Sequence, residues 1–317
     1  MPEPKVSFIV PLFNESESFK SLVERLDKVA SIAPFPVEIV LVDDGSSDNT
    51  AELMQQIAML NENYHCVFLA RNYGHPIALS AGLASARATD AVMIIDGDLQ
   101  DPPELLLDFY QYYKQGYDVV YGIRKKRKEN WLKKTAYHSF YRLLKSISYI
   151  DMPLDTGDFS LISRRIIDVL NKMPEESRYI RGMRAWVGFK QIGVEYEREQ
   201  RFAGQSKYSF KMLFQLAYNG IFNFSEFPIK FITNMGLLSV LVSLLYLLQT
   251  IYKRIMDPSF PVGFTGLLFA IILFGGVQLI SLGVIGEYVL RIFFQVKGRP
   301  LFVIKNEIID KKIRSEK

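Results

Sequence analysis

An α/β domain with a mainly parallel sheet, followed by interfacial helices and two transmembrane helices, is the fold class this 317-residue chain predicts. Three observations predict it. Between Val6 and Arg124, short apolar runs alternate with amphipathic ones. Polar groups collect at the ends of four consecutive apolar runs. Near the C-terminus, Phe231 to Tyr252 and Pro258 to Gly286 carry no charged residue at all.

The elements follow in order. "VSFIVPLF" reads as a buried strand. "SESFKSLVERLDKVA" repeats Phe19, Leu22, Val23, Leu26 and Val29 at helical spacing. "VEIVLVDD" is a second strand, and its "GSSDNT" turn supplies helix-capping residues ahead of "AELMQQIAML". "HCVFLA" is a third strand. "NYGHPIALSAGLASA" then turns into a helix, with Pro76 suited to its first turn. "AVMIID" is a fourth strand, "PPELLLDFYQYYKQG" its helix, and "DVVYGIR" a fifth strand. Strands alternating with helices imply a mainly parallel sheet covered on both faces. Ligands of such sheets bind outside the carboxyl ends of the strands.

Residues 1–207 therefore read as a catalytic-sized soluble domain. "RKKRK", Arg124 to Lys128, leads into "WLKKTAYHSFYRLL", a basic amphipathic pattern suited to anionic lipid, with an ordinary packed helix as the alternative. Residues 208–229, rich in aromatics, read as a juxtamembrane amphipathic segment. Residues 230–253 and 262–290 read as two spans, since about 20 apolar residues cross a hydrocarbon core of about 30 Å. Residues 254–261 form the connecting loop, which begins with Arg254 and has Lys253 beside it. The tail, 291–317, carries Arg291, Lys297, Arg299, Lys305, Lys311, Lys312 and Arg314. That excess puts the domain and the tail in the cytoplasm and the loop outside, in an integral protein of the inner (plasma) membrane. Glu287, near the end of the second span, requires a partner or headgroup water.

Composition narrows the partners. A formal net charge of +4 does not point to nucleic acid, and no nucleic-acid partner is expected. Cys66 is the single cysteine, so no internal disulfide forms, which fits a reducing compartment. The first residues show no secretory signal. His65, His75 and His138 are scattered and have no zinc-ligand spacing.

The strand ends carry the candidate chemistry. Asn14 and Glu15 follow the first strand, Asp43 and Asp44 end the second, Arg71 and Asn72 follow the third, and Asp96 and Asp98 follow the fourth. In "IIDGDLQDPPE", Asp96 and Asp98 are separated only by Gly97, which lets the backbone approach closely. Two such carboxylates can share Mg²⁺ or Mn²⁺, with Gln100 as a further oxygen donor. The cation relieves their repulsion and neutralises charge on a departing diphosphate.

"VSFIVPLFNE", "VEIVLVDDGSSDNT", "RNYGHPIALSAGL" and "IIDGDLQDPPE" resemble the family-two inverting glycosyltransferases, which have a nucleotide-sugar-binding GT-A fold. "DTGDFSLISRR", "RFAGQSKYSF" and the two C-terminal spans are similar to polyprenyl-phosphate glycosyltransferases. The bactoprenol-phosphate glucosyltransferase group, related to dolichyl-phosphate mannose synthases, fits best, over essentially the whole chain. The resemblance implies transfer of a hexose, glucose from UDP-glucose, to undecaprenyl phosphate, with inversion, by a membrane-bound homotetramer. Pro11, Phe13, Glu15, Val42 and Asp44 would hold the base and ribose of the nucleotide-sugar donor. Position 13 is often tyrosine in relatives, and Phe13 keeps the stacking face without the hydroxyl. Asp96, with Gly97, would contact the nucleotide sugar. Asp98 and Gln100 would bind the metal on the diphosphate. Arg124, Arg201 and Lys207 would face phosphates of the donor or the polyprenyl phosphate acceptor; the alternative for "RFAGQSKYSF", which carries Arg201 and Lys207, is a basic patch at the membrane surface. Asp158 would complete the catalytic carboxylates with Asp96 and Asp98.

A phosphate monoester has its second pKa at about 6, so a general base is less necessary than for an alcohol. Asp158 is accordingly expected to orient the acceptor or accept a residual proton; the alternative is that it braces Arg164 or Arg165. "RGMRAW" is only partly similar to the Gln-x-x-Arg-Trp motif of processive synthases, lacking the glutamine and having one residue between Arg184 and Trp186. A processive synthase and a catalytically silent scaffold of the same fold are the alternative readings.

Overall fold

The structure, a computed structural model, describes residues 3–124, 156–176, 178–197, 222, 225, 227–256 and 263–314. The described residues up to Glu197 and from Arg299 onward form one compact unit; those from Phe222 to Gly298 form another.

In the first unit, β1 (Val6–Leu12), β2 (Val37–Asp43), β3 (Tyr64–Leu69) and β4 (Ala91–Ile94) form a parallel core in the order β4-β1-β2-β3. β1, β2, β3 and β4 are buried along their whole lengths, because helices cover both faces of the parallel core. Between the strands run α1 (Ser16–Ile32), α2 (Thr50–Leu60) and α3 (His75–Ser85). α1 buries Phe19, Leu22, Leu26 and Val29, the spacing read from the sequence. A short 3₁₀ turn, Pro103–Leu105, opens α4 (Leu106–Lys114), and β5 (Val119–Arg124) follows. Beyond these lie β6 (Thr156–Ser163), α5 (Arg164–Lys172), α6 (Ile180–Val187) and β7 (Gln191–Tyr196).

The expected mainly parallel sheet is instead mixed. Its nine described strands run β7-β5-β6-β4-β1-β2-β3-β8-β9. β6 lies antiparallel between β4 and β5, and β5 pairs parallel with β7. The reading from strand–helix alternation finds only strands joined by helical crossovers. "TGDFSLIS" enters the sheet against the direction of both neighbours, so alternation does not reveal it.

The C-terminal residues add the other antiparallel strands. β8 (Ile304–Ile309) pairs with β3 through Cys66↔Ile308 and Val67↔Glu307, and β9 (Lys312–Arg314) folds back on β8. Part of the basic tail is thus a sheet edge, and Ile308 is fully buried in the core. A polar clasp accompanies it. Glu38 accepts from Ser7 Oγ and Arg87 Nε, each at 2.6 Å. His65 Nε2 lies 3.1 Å from Glu307, and Arg87 Nη1 reaches Asp310 at 3.3 Å.

The second unit contains α7 (Phe227–Met256) and α8 (Phe264–Val296). Both are long and apolar enough to cross a membrane, over Phe227–Lys253 and Phe269–Val296. Their apolar side chains are largely exposed. Within α8, Glu287 finds its partner one turn on, 2.9 Å from Arg291 Nε.

Candidate active site

The four parallel strands end on one edge, and the loops leaving them are joined through main-chain groups. Asp44 N–H donates to Leu12 O at 2.9 Å. Asn14 N–H donates to Ser46 Oγ at 3.0 Å, and Asn14 Oδ1 accepts from Ser47 N–H at 2.8 Å. Asp48 accepts from Ser16 N–H at 3.1 Å and Thr50 N–H at 3.0 Å. The β1–α1 and β2–α2 loops therefore hold each other.

Asp44 is buried, and its two oxygens accept from Tyr73 N–H at 2.7 Å and Gly74 N–H at 2.9 Å. Burial pushes its pKa up against these bonds. Both contacts go to the loop that opens α3, so in this structure Asp44 braces that loop. Val42 is fully buried, packed against Gly82 of α3, and its side chain does not reach the strand-end surface. Pro11 is buried as well, while Phe13 and Glu15 stand half-buried at the edge.

The three carboxylates of "DGDLQD" go to three different places. Asp96 Oδ1 lies 3.1 Å from His75 Nε2, at the start of α3. Asp98 Oδ1 accepts from Gln100 N–H at 3.1 Å, closing a turn with Leu99 at φ 59°. Asp101, buried, accepts from the Tyr196 hydroxyl and faces Arg124 Nη2 at 3.9 Å. Gly97 runs close against β1: a Cβ there would stand 2.4 Å from Leu12 Cδ2, so the Leu12 side chain would have to shift. From outside, Arg25 grips Glu104 at 2.9 and 2.6 Å and reaches Leu99 O at 3.4 Å.

Among the described residues, no group of three or more His, Cys, Asp or Glu side chains could enclose a metal ion. Asp98 and Gln100 are half-buried hard-oxygen donors on one turn. They fit a cation that completes its shell with substrate oxygens and water, as Mg²⁺ commonly does.

Asp158 stands near the start of β6 and is gripped edge-on by Arg181 of α6, Nε and Nη2 each 3.1 Å from one of its oxygens. It braces neither Arg164, which pairs with Asp168, nor Arg165, which pairs with Asp118. Burial opposes ionisation of Asp158, but the charge and hydrogen bonds of Arg181, and then the charge of His75, outweigh it and lower its pKa. Burial likewise opposes the charged form of His75, but Asp96 and Asp158 raise its pKa. Asp96, His75, Asp158 and Arg181 thus form one electrostatic cluster. Arg184, fully buried, donates to Ser160 Oγ at 2.7 Å, and burial lowers its pKa to about 10.

Of the residues expected from the sequence, the structure joins Asp96 and Asp158 to His75 and Arg181, sets Asp98 and Gln100 on one turn, and holds Arg124 against Asp101 and Tyr196; His75, Arg181 and Tyr196 were not among those expected. His75 carried a signal, since it follows a strand end in "RNYGHP". Arg181 and Tyr196 come from beyond the alternating region, and only folding brings them to this edge. Arg201, Lys207 and the segment 125–155 lie outside the described residues.

Comparison with known proteins gives consistent matches. The profile of Glycosyl transferase family 2 matches residues 7–170. The uncharacterized glycosyltransferase YkcC of Bacillus subtilis (strain 168) is 39% identical over 300 residues, covering 94% of this chain and 93% of its own. The bactoprenol glucosyl transferase of Shigella phage SfV is 37% identical over 304 residues, covering 96% of this chain and 99% of its own. Among solved structures, glucosyl-3-phosphoglycerate synthase from Mycobacterium tuberculosis in complex with UDP is 17% identical, with a TM-score of 0.45 over 69% of this chain and 79% of its own.

Proposed function

The chain belongs to glycosyl transferase family 2, and from that premise we propose that it is a membrane-bound inverting transferase moving glucose from UDP-glucose to undecaprenyl phosphate. The observation that carries this reading is the 37% identity to a bactoprenol glucosyl transferase over 96% of the chain, both helices included. The site supports it: carboxylates and cations from β4, β6, α3 and α6 meet at the edge where α/β sheets bind ligands.

In the proposed reaction, an oxygen of the lipid phosphate attacks the anomeric carbon in line as UDP leaves from the opposite face, so one displacement inverts the configuration. Phe13 and Glu15 stand at the strand edge where the donor's nucleotide binds, and Asp44 shapes the loop beside it. Asp96 contacts the sugar and is held by His75. Asp98 and Gln100 would hold Mg²⁺ or Mn²⁺, which supplies charge neutralisation on the diphosphate. Arg124, oriented by Asp101 and Tyr196, faces phosphate, as Arg201 and Lys207 would. Asp158 orients the acceptor side. The enzyme's work is positioning two anionic partners and neutralising their charge.

α7 and α8 would cross the bilayer as a hairpin. Their candidate spans of 27 and 28 residues give about 40 Å each at helical rise, enough for a tilted crossing. The strand after α8 hydrogen-bonds to the domain before α7, which supports two crossings with domain and tail on one side. In α8, a Cβ at Gly275 or Gly276 would meet no atom within 4 Å among the described residues, leaving room for close helix contact in a homo-oligomer.

The test is incubation of purified protein with undecaprenyl phosphate, Mn²⁺ and a panel of nucleotide sugars, followed by mass analysis of the lipid. A lipid-linked monohexose from UDP-glucose is expected, and chelation or Asp98→Ala should lower turnover at least 100-fold. Growing saccharide chains would instead favour a processive synthase, and full transfer after chelation would remove the metal from the reading.

A further inference from the structure

The acceptor in the proposed reaction is an anion, and this sets a requirement that Asp158 cannot meet alone. A phosphate monoester carries between one and two negative charges near neutral pH. Asp158 is held ionised by its surroundings. Two unit charges of like sign 4 Å apart repel by about 4 kcal/mol at an effective dielectric of about 20. A bare carboxylate would therefore drive away the group it is expected to orient.

The structure puts a cation directly against it. Arg181 meets Asp158 through two hydrogen bonds of 3.1 Å, a geometry that fixes the guanidinium plane. Side-chain exposures of 22% for Arg181 and 14% for Asp158 leave the pair within reach of a ligand without setting it in open water. Among the described residues, three further charged groups face Asp158. His75 comes from α3, Asp96 from the loop after β4, and Arg184 from the next turn of α6. The chain of bonds from Arg184 through Ser160 Oγ to Asp158 O, 2.7 and 2.8 Å, fixes the strand that carries the carboxylate. Arginine is the side chain whose planar fork matches phosphate oxygens.

We propose that Arg181 receives the acceptor phosphate, and that Asp158 is a positioning residue that holds the guanidinium for it. This deepens the lipid-phosphate reading above and rests on it. It also gives Asp158 a role that needs no proton transfer.

The test uses the full chain in detergent or lipid nanodiscs. With undecaprenyl phosphate varied at saturating donor, Arg181→Ala should raise the acceptor KM at least tenfold and leave the donor KM within twofold. Arg181→Lys keeps the charge and loses the fork, and should recover part of that loss; it also serves if the alanine variant folds poorly. Asp158→Asn should raise the acceptor KM too, and combined with Arg181→Ala should be no worse than Arg181→Ala alone. Equal rises in both KM values would overturn the proposal. So would an Asp158→Asn variant with an unchanged acceptor KM and a kcat that has lost the acid limb of its pH profile, the mark of a general base. A second arm needs no turnover: dodecyl phosphate should raise the melting temperature of the wild type but not of Arg181→Ala, while UDP with Mn²⁺ raises both. Stabilisation through Arg181 without transfer to any lipid phosphate would sink the functional reading and keep the phosphate site. Transfer by the wild type with an unaffected Arg181→Ala would sink the site alone.

Discussion

Gly45 is the residue on which the β2 and β3 loops meet. Its φ is +69°, and a Cβ there would stand 2.6 Å from the backbone carbon of Arg71 and the backbone nitrogen of Asn72. Both the conformation and the contact exclude a side chain, and backbone atoms cannot yield as a flexible side chain does. Gly45→Ala should destabilise the fold by roughly 1–3 kcal/mol, read as a lower melting temperature. It should also raise the donor KM, because Asp44 next to it holds Tyr73 and Gly74 in place. An unchanged melting temperature would show that the loop has another low-energy arrangement. At this scale the sequence was legible where one residue type has one use at one place. Asp-Gly-Asp after an apolar run reads as a turn at a strand end, and the structure puts it there. Where the side chains of Asp44 and Val42 turn was not legible, since that depends on neighbours distant in the chain.

At the scale of the element, β8 links the end of the chain to its core. The clasp beneath it centres on Glu38, which is 2% exposed. Burial alone would push its carboxyl up, but the His65 ring 3.7 Å away and hydrogen bonds from Ser7 and Arg87 outweigh burial and hold it at about 2, from an ordinary 4.5. A depressed carboxylate contributes stability that is full above its unfolded value and disappears as pH falls through its folded value. The contribution should thus be complete above about 4.5 and lost toward about 2. Glu38→Gln is expected to cost about 3 kcal/mol at neutral pH, measured by denaturant unfolding of the purified protein. The gap from wild type should close as pH falls through that window, and a gap independent of pH would mean that packing, not charge, accounts for the loss. The alternating helices and strands up to β5 were legible from period and turn residues. β6 and β8 were not, because short antiparallel strands are recognised by their partners as much as by their own residues.

For the molecule as a whole, the proposed topology follows from a connection between its ends. β3 precedes the two long helices, β8 follows them, and the two strands share a ladder. Domain and tail must then lie on the same side of any bilayer that the helices cross. Cys66 is buried, so introduced cysteines can be labelled against a low background. A membrane-impermeant maleimide should label Ser259→Cys, which lies between the two helices in sequence, in intact cells. It should label Lys312→Cys, exposed on β9, only after permeabilisation. Labelling of Lys312→Cys in intact cells would overturn the orientation, and equal labelling of both would overturn the hairpin.

By itself the sequence determined the alternating α/β core, the edge at which its polar groups gather, the acidic turn after β4 and the two apolar helices. Each of these rests on local period, on turn chemistry or on length, all of which are written in neighbouring residues. The tertiary structure alone decided that the sheet is mixed, that the tail closes one of its edges, and that Arg181 and His75 join Asp158 and Asp96. Those are pairings between residues far apart in the chain. Their energies come from ladders, burial and charge that exist only after the chain has folded back on itself.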